Sequence, residues 1–312
     1  MKIKLNRQNF RGPWAGLPVA WDEQFRFDEA TYREDVARCF QAEIPGVYTG
    51  GTSGEFYAME FDDFKAVTRA TVEVGTQHQK PVMIGVTSTY SLGAARRAAF
   101  AAETGAQAIQ VALPYWMPVE DSQIVPFFRE VASAAPGLAL SLYETMRAKK
   151  VLTLDQHRRV KDAVPDYLMV KSITPALGCS VEGCKQLSEF VNVFAEEEQW
   201  PVLGPAGVAG CCSAKVYGFP RYVLGLWREL EAGNWAELDT RLSSLRAFAT
   251  YYRTRNKGRG FTDSAIDRMV GRVQPFLGTS LRCHPPYPHV DETDVADLRR
   301  WCEQHTPELL KP

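Results

Sequence analysis

Short apolar runs alternate with longer stretches of helical periodicity along the first two thirds of the chain. Runs of about four to eight residues that are bounded by glycine or proline are typical of strands buried on both faces of a parallel sheet. The stretches between them carry apolar residues three or four positions apart, which is the spacing of one helix face. The predicted strands are Gly16–Ala20, Gly46–Gly50, Pro81–Val86, Ala108–Ala112, Leu138–Tyr143, Tyr167–Thr174, Phe190–Phe194 and Gly207–Cys211.

This order of elements predicts an α/β protein of the (β/α)8 class, a TIM barrel, because each strand is followed by a helix. The alternative is an open, doubly wound sheet that binds a dinucleotide where its strand order reverses. No G-x-G-x-x-G follows the first predicted strand, and no G-x-x-x-x-G-K-[ST] occurs in the chain. We therefore favour the barrel and expect no nucleotide cofactor.

Beyond about Pro220 the pattern predicts helices only. A proline-rich segment, Arg282–His289, is expected to cross between the last two of them without regular structure. We therefore divide the chain into a catalytic barrel domain, residues 1–218, and a C-terminal helical extension, residues 219–312. The predicted helices of this extension are Val223–Glu231, Trp235–Arg253, Asp263–Val273 and Glu292–His305.

The composition is that of an ordinary globular protein, with 312 residues of which 45% are hydrophobic and 23% charged. A net charge of -1 weighs against nucleic acid or an acidic membrane as the main partner and favours a small molecule. The N-terminal residues lack the apolar core of a signal peptide, and no run is long enough to span a membrane. Seven cysteines without disulfide or metal-ligand spacing indicate reduced thiols in the cytoplasm and no structural metal.

The run Tyr167–Thr174 is almost wholly apolar and contains one lysine, Lys171, near its C-terminal end. In a barrel, the C-terminal ends of the strands carry the catalytic residues. An unpaired ammonium is costly to bury, so the amine is expected to lose its proton and become a nucleophile that forms Schiff bases with carbonyl compounds. The other interpretation of Lys171 taken alone is a side chain that extends to water.

Further reactive side chains follow other predicted strands. The loop Gly50–Glu55 combines glycines with two hydroxyls and suits a carboxylate, although a glycine turn can equally serve only to start a helix. Tyr143 ends the fifth strand, where a phenol can relay a proton or simply pack. Tyr115 and Trp116 follow the fourth strand and could line a site or form an interface. The conjunction of these residues after strands two, five and six favours an active site.

The order of these motifs resembles the dihydrodipicolinate synthase/N-acetylneuraminate lyase family over essentially the whole chain. The motifs that carry the resemblance are Gly51–Glu55, Tyr143, Lys171 and Gly204–Val208.

The resemblance implies a class I, Schiff-base lyase or aldolase that is a cytoplasmic homotetramer and acts on a 2-oxo acid such as pyruvate. It implies that Lys171 forms the imine and needs no metal or other cofactor, and that Tyr143 relays protons. The substrate carboxylate would be held by Gly51, Thr52 and Ser53. The remaining residues expected to contact substrate are Tyr115, Trp116 and Val208.

Two departures from the family pattern bear on the reaction. Glu144 follows Tyr143 where the family usually has asparagine. Its carboxylate could assist as a base, but we expect it to point outward into solvent. Trp116 stands where dihydrodipicolinate synthases usually have a second tyrosine, and an indole cannot shuttle a proton. These departures weigh against dihydrodipicolinate synthesis.

Several functions therefore stay open. The catabolic hydratase-aldolase and sugar-acid branches are more similar, which leaves aldol cleavage or condensation and dehydration of a 2-keto-3-deoxy sugar acid. A non-catalytic protein that binds a 2-oxo acid is a further alternative. A metal-dependent aldolase is disfavoured, because no histidine ends a predicted strand.

Overall fold

Eight parallel strands pair in chain order and close into a barrel in a computed structural model of the chain, which describes residues 3–311. The predicted (β/α)8 fold is confirmed, because helices connect successive strands and further helices follow the last one. The strands are β1 Gly12–Gly16, β2 Val47–Thr49, β3 Val82–Gly85, β4 Ala108–Val111, β5 Ala139–Glu144, β6 Tyr167–Ser172, β7 Asn192–Phe194 and β8 Val208–Ser213.

Two helices of the C-terminal extension have the predicted bounds, Asp263–Val273 and Glu292–His305, whereas the helix predicted to begin at Val223 begins at Pro220 and the one predicted to end at Arg253 ends at Asn256. Asp28 caps the first helix by accepting a hydrogen bond from the Thr31 amide, and Gly105 ends the third in a left-handed conformation. The helices are α1 Glu29–Gln41, α2 Phe61–Gln77, α3 Ser91–Thr104, α4 Asp121–Ala134, α5 Leu154–Ala163, α6 Val181–Ser188, α7 Trp200–Leu203, α8 Lys215–Gly218, α9 Pro220–Glu231, α10 Trp235–Asn256, α11 Asp263–Val273 and α12 Glu292–His305.

The first strand lies earlier in the chain than predicted. The sequence pattern placed it at Gly16–Ala20, whereas β1 spans Gly12–Gly16 and pairs with β2 through Ala15 and Gly16. Residues 17–20 are also buried, so their apolar sequence resembles that of a buried strand. They do not continue the strand, because Pro18 has no amide hydrogen to extend the ladder. Burial alone therefore did not distinguish the strand from the segment after it.

Backbone contacts group the chain into two units. The first contains Gln79–Cys212 together with the segment up to Gly12, and the second contains Pro13–His78 together with the segment from Ser213 onward. The first unit holds β3 to β7 and β8 up to Cys212, and the second holds β2 and the C-terminal helices α9 to α12. The catalytic domain boundary at residue 218 stays a prediction.

The described residues also bear on the expectations about membranes and cysteines. None of the helices within residues 3–311 combines the length and the apolar character needed to cross a bilayer. No disulfide forms among these residues, and six of the seven cysteines are buried while Cys179 is half-buried.

Candidate active site

Lys171 and Tyr143 lie side by side on neighbouring strands of the first unit. They are Cα partners in the ladder between β5 and β6, one residue before each strand ends. Partners in a parallel ladder point to the same face of the sheet. The Lys171 Nζ atom lies 4.6 Å from the centroid of the Tyr143 ring, which is cation–π distance. The structure therefore brings together the amine and the phenol that the sequence placed at strand ends.

The Lys171–Tyr143 pair is largely shielded from solvent. Tyr143 is buried, and Lys171 is half-buried. On its other side, Lys171 pairs with the buried Phe194 of β7. Nucleophilic attack on a carbonyl requires the neutral amine.

Glu144 is buried, and the expectation of a solvated carboxylate is wrong. Its exposed fraction is only 2%, and it is the next residue along β5 after Tyr143. The Leu152 amide donates to Oε1 at 2.9 Å, and the Ser172 hydroxyl donates to Oε2 at 3.3 Å. Because successive side chains alternate across a strand, Glu144 and Ser172 lie on the opposite face of the sheet from the reactive pair.

A histidine and a tyrosine extend this buried group. The His157 Nε2 atom on α5 lies 3.3 Å from Glu144 Oε1, although its N–H is not aligned for a hydrogen bond. The His157 Nδ1 atom is 2.9 Å from the Tyr167 hydroxyl, and the two rings are parallel within 3°. Burial, and then the Glu144 charge, hold the pKa of Tyr167 well above its usual range, so this phenol stays neutral.

Tyr115 and Trp116 lie in the loop after β4. Tyr115 is half-buried, whereas 75% of Trp116 is exposed. The Lys149 ammonium donates to the Trp116 carbonyl at 2.7 Å and thereby links this loop to the one after β5. Two further exposed apolar side chains, Met117 and Met146, belong to the same pair of loops.

The glycine loop after β2 belongs to the second unit. A side chain at Gly51 would overlap the ring of Tyr48, which explains the glycine, and Thr52 is half-buried. The Ser53 hydroxyl donates to the carboxylate of Asp267 on α11, and the Ser264 hydroxyl donates to the Ser53 carbonyl at 2.9 Å. The proton of Ser53 is therefore directed at a carboxylate of its own chain.

Glu55 ends this loop and connects it to the C-terminal helices. It adopts a left-handed conformation with φ of 57° and is fully buried. Its carboxylate accepts from Trp21 Nε1 at 2.8 Å, from the His284 amide at 2.9 Å and from the Arg268 guanidinium at 2.7 Å. Arg268 is also fully buried. We infer that this ion pair fixes the conformation of Gly51–Glu55.

The position of Val208 does not favour its predicted contact with substrate. It is the first residue of β8 and is buried, whereas β8 runs on to Ser213. Catalytic residues of barrels lie at the opposite, C-terminal ends of the strands. The sequence pattern ended this strand two residues too early, at Cys211.

Comparison with known proteins identifies the family. The model of the dihydrodipicolinate synthetase family matches residues 9–252. The chain belongs to this family. The resemblance inferred from the motifs is therefore confirmed, and it supports an enzyme with the class I aldolase type of chemistry.

Individual relatives of this family member differ in the reactions that their names state. A probable 5-dehydro-4-deoxyglucarate dehydratase of Rhodococcus opacus is 25% identical over 309 residues, covering 90% of this chain and 91% of the relative. An N-acetylneuraminate lyase of Escherichia coli is 29% identical over 150 residues, covering 47% of this chain and 50% of the lyase.

A solved structure agrees in fold. YagE, a protein of the dihydrodipicolinic acid synthase family from E. coli K12 determined in complex with pyruvate, superposes with a TM-score of 0.83 at 19% identity. The match covers 95% of this chain and 98% of YagE.

The sequence did not predict the partners of Glu144, Ser53 and Glu55. His157, Asp267 and Arg268 lie inside helices, where histidine, aspartate and arginine are common on exposed faces. The one signal that could have indicated a partner is Glu55, an acidic residue in a loop between a buried strand and an apolar helix. Among residues 3–311, no three histidine, cysteine, aspartate or glutamate side chains are grouped as metal ligands.

Proposed function

We propose that this protein is a Schiff-base lyase or aldolase that acts on a 2-oxo acid, either pyruvate or a chain derived from it. The observation that carries the proposal is the Lys171–Tyr143 pair, with Nζ 4.6 Å from the ring centroid at the ends of β6 and β5. An amine and a phenol this close supply the nucleophile and the proton relay that imine chemistry needs.

The proposed reaction begins when the neutral Lys171 amine attacks C2 of the 2-oxo acid. Loss of water gives a protonated imine, which withdraws electrons from C3. In cleavage, Tyr143 relays the proton of the C4 hydroxyl, the C3–C4 bond breaks, and its electron pair forms the enamine of pyruvate while an aldehyde leaves. Protonation of the enamine and hydrolysis of the imine return the lysine. Condensation is the reverse of these steps.

We propose that the loop after β2 holds the substrate carboxylate through its backbone amides and the Thr52 hydroxyl. The Gly51 backbone contributes because it has no side chain to obstruct the approach. The role of Ser53 as a donor is less favoured, because its hydroxyl already donates to Asp267. Ser53 can still accept a hydrogen bond, which suits a hydroxyl group of a longer substrate.

The second candidate reaction is dehydration of a 2-keto-3-deoxy sugar acid. It uses the same imine at Lys171, but C3 loses a proton and a hydroxyl leaves in place of an aldehyde. The observation that favours it is the match over 90% of the chain to a relative named as a 5-dehydro-4-deoxyglucarate dehydratase. Trp116 in place of a tyrosine weighs against dihydrodipicolinate synthesis.

Product analysis distinguishes the reactions. The enzyme is incubated with pyruvate and a panel of aldehydes, and separately with 2-keto-3-deoxy acids alone, with Lys171→Ala as the control. New carbon–carbon bonds, or pyruvate released from the acids, identify an aldolase, whereas water loss without pyruvate identifies a dehydratase. Thermal stabilisation by pyruvate with no turnover of either panel would identify the non-catalytic alternative and overturn the proposal.

We further propose a cytoplasmic homotetramer that needs no metal or nucleotide. The exposed apolar side chains Trp116, Met117 and Met146 support association of copies, because they lie in two loops joined by the Lys149–Trp116 hydrogen bond and exposed apolar patches mark interfaces. Sedimentation velocity of the wild type and of Trp116→Lys tests this assembly. A monomeric wild type would overturn it.

A further inference from the structure

A buried polar cluster lies directly behind the Lys171–Tyr143 pair. We name it the Glu144 cluster; its members are Glu144, Leu152, His157 and Ser172. Glu144 and Ser172 are Cα partners one position beyond Tyr143 and Lys171, so the cluster joins the same two strands on the other face of the sheet. The proposed catalysis uses none of its members.

The Glu144 carboxylate joins three segments of the chain. The Ser172 hydroxyl donates to Oε2 at 3.3 Å and connects β6 to β5, while the Leu152 amide donates to Oε1 at 2.9 Å. The Leu152 contact closes the loop between β5 and α5 back onto the strand end. The third segment is α5, on which the His157 Nε2 atom lies 3.3 Å from Oε1. One side chain therefore fixes both the end of β5 and the segment that follows it.

The packing around Ser172 leaves its hydroxyl little freedom. A Cβ atom at Gly178 would overlap Ser172 Oγ and come within 2.9 Å of Val193 Cγ1. The glycine therefore makes room for the serine side chain, which faces Glu144. Such close packing holds a side chain in one rotamer.

Because Glu144 is buried, its carboxyl group needs polar partners within the protein. A buried carboxyl group is unfavourable unless its oxygens have polar partners. Both Glu144 oxygens accept hydrogen bonds, and the His157 Nε2 atom lies 3.3 Å from Oε1. This buried carboxyl group therefore has its own set of polar partners.

We propose that Glu144 is a positioning residue that holds the ends of β5 and β6 in the register that places Lys171 Nζ beside the Tyr143 ring. This inference rests on the proposed imine chemistry. Displacement of a reacting group by about 1 Å can slow a reaction on the order of a hundredfold. Loss of the Glu144 cluster should therefore slow the chemistry at Lys171 without weakening the binding of the 2-oxo acid.

The test measures imine formation with pyruvate by quenching with borohydride at increasing times. Glu144→Ala removes both hydrogen bonds, Ser172→Ala removes only the link between strands, and Glu144→Gln keeps the shape and both contacts. The control is Asp155→Asn, a carboxylate on the outer face of α5 that is 67% exposed and paired with Arg159. The readouts are the rate at saturating pyruvate and the pyruvate concentration that gives half of that rate.

We expect Glu144→Ala to lower the saturating rate by about 10- to 100-fold while the half-saturating concentration changes by less than about threefold. Ser172→Ala should lower the rate less, and adding it to Glu144→Ala should cause little further loss because the two residues form one contact. Glu144→Gln should recover the rate to within about threefold of the wild type. Asp155→Asn should match the wild type.

Two results would overturn the inference. The first is a Glu144→Ala variant that is folded and forms the adduct at the wild-type rate. The second, should Glu144→Ala fail to fold, is a Ser172→Ala variant with unchanged rate. A lower melting temperature with unchanged rates would indicate a purely structural role. Absence of an adduct in the wild type would instead overturn the proposed function, so the two failures are distinguishable.

Discussion

Arg268→Met should destabilise the protein more than any surface substitution of arginine. The guanidinium is fully buried and donates to Glu55 at 2.7 Å and to the Val19 carbonyl at 2.8 Å. It also donates to the Thr279 hydroxyl and the Ser280 carbonyl, both at 3.0 Å. Methionine fills similar space but leaves the Glu55 carboxylate buried without its counter-charge. Removing one partner of a buried ion pair costs about 3–5 kcal/mol of unfolding free energy.

Urea unfolding followed by circular dichroism measures this loss. The matched control is Arg282→Met, because Arg282 is 39% exposed and lies 3.5 Å from Glu23, an ion pair worth less than about 1 kcal/mol. Arg268→Lys keeps the charge but not the planar set of donors. It should therefore lower the unfolding free energy by a smaller amount than Arg268→Met, about 1–3 kcal/mol. A folded Arg268→Met within about 1 kcal/mol of the wild type would refute the reasoning. If Arg268→Met does not fold, an Arg268→Lys variant with the unfolding free energy of the wild type would refute the reasoning.

Three further predictions concern pH, packing and catalysis. Burial raises the pKa of Asp35 to about 6. The folded state therefore holds a proton that the unfolded state has lost, and the contribution of Asp35 to the unfolding free energy should fall by about 2 kcal/mol as pH rises from 4 to 6. In urea titrations, the stability of the wild type relative to Asp35→Asn should fall by this amount over that range, and a constant difference would contradict it. Gly178→Ala should lower stability by about 1–3 kcal/mol in the same assay, because its Cβ overlaps Ser172 Oγ, and an unchanged midpoint would contradict this. Tyr143→Phe should slow turnover about 100- to 10,000-fold in a pyruvate-release assay, and a full rate would remove the phenol from the proposed catalysis.

The sequence predicted the elements whose signal is local. Each strand from β2 to β8 is a short apolar run, so its position follows from neighbouring residues alone. Lys171 and Tyr143 could be placed together because barrel topology aligns the ends of successive strands. That step needs only the order of the strands and the residue at each end.

The features that the sequence did not predict depend on residues far apart in the chain. Glu55 and Arg268 are 213 positions apart, and Glu144 and Ser172 are 28 apart. Glu144 was expected in solvent because a lone carboxylate is costly to bury, and only its partners make burial possible. Neither of these two contacts produces a periodic pattern in the sequence, because each depends on how separate elements pack together.

Borohydride reduction in the presence of pyruvate, followed by peptide mass spectrometry, tests the assignment of Lys171 as the imine-forming residue most directly. The account predicts the mass of a reduced pyruvate adduct on the peptide that contains Lys171, and no adduct in Lys171→Ala. An adduct on another lysine, or none with pyruvate and related 2-oxo acids, would contradict it.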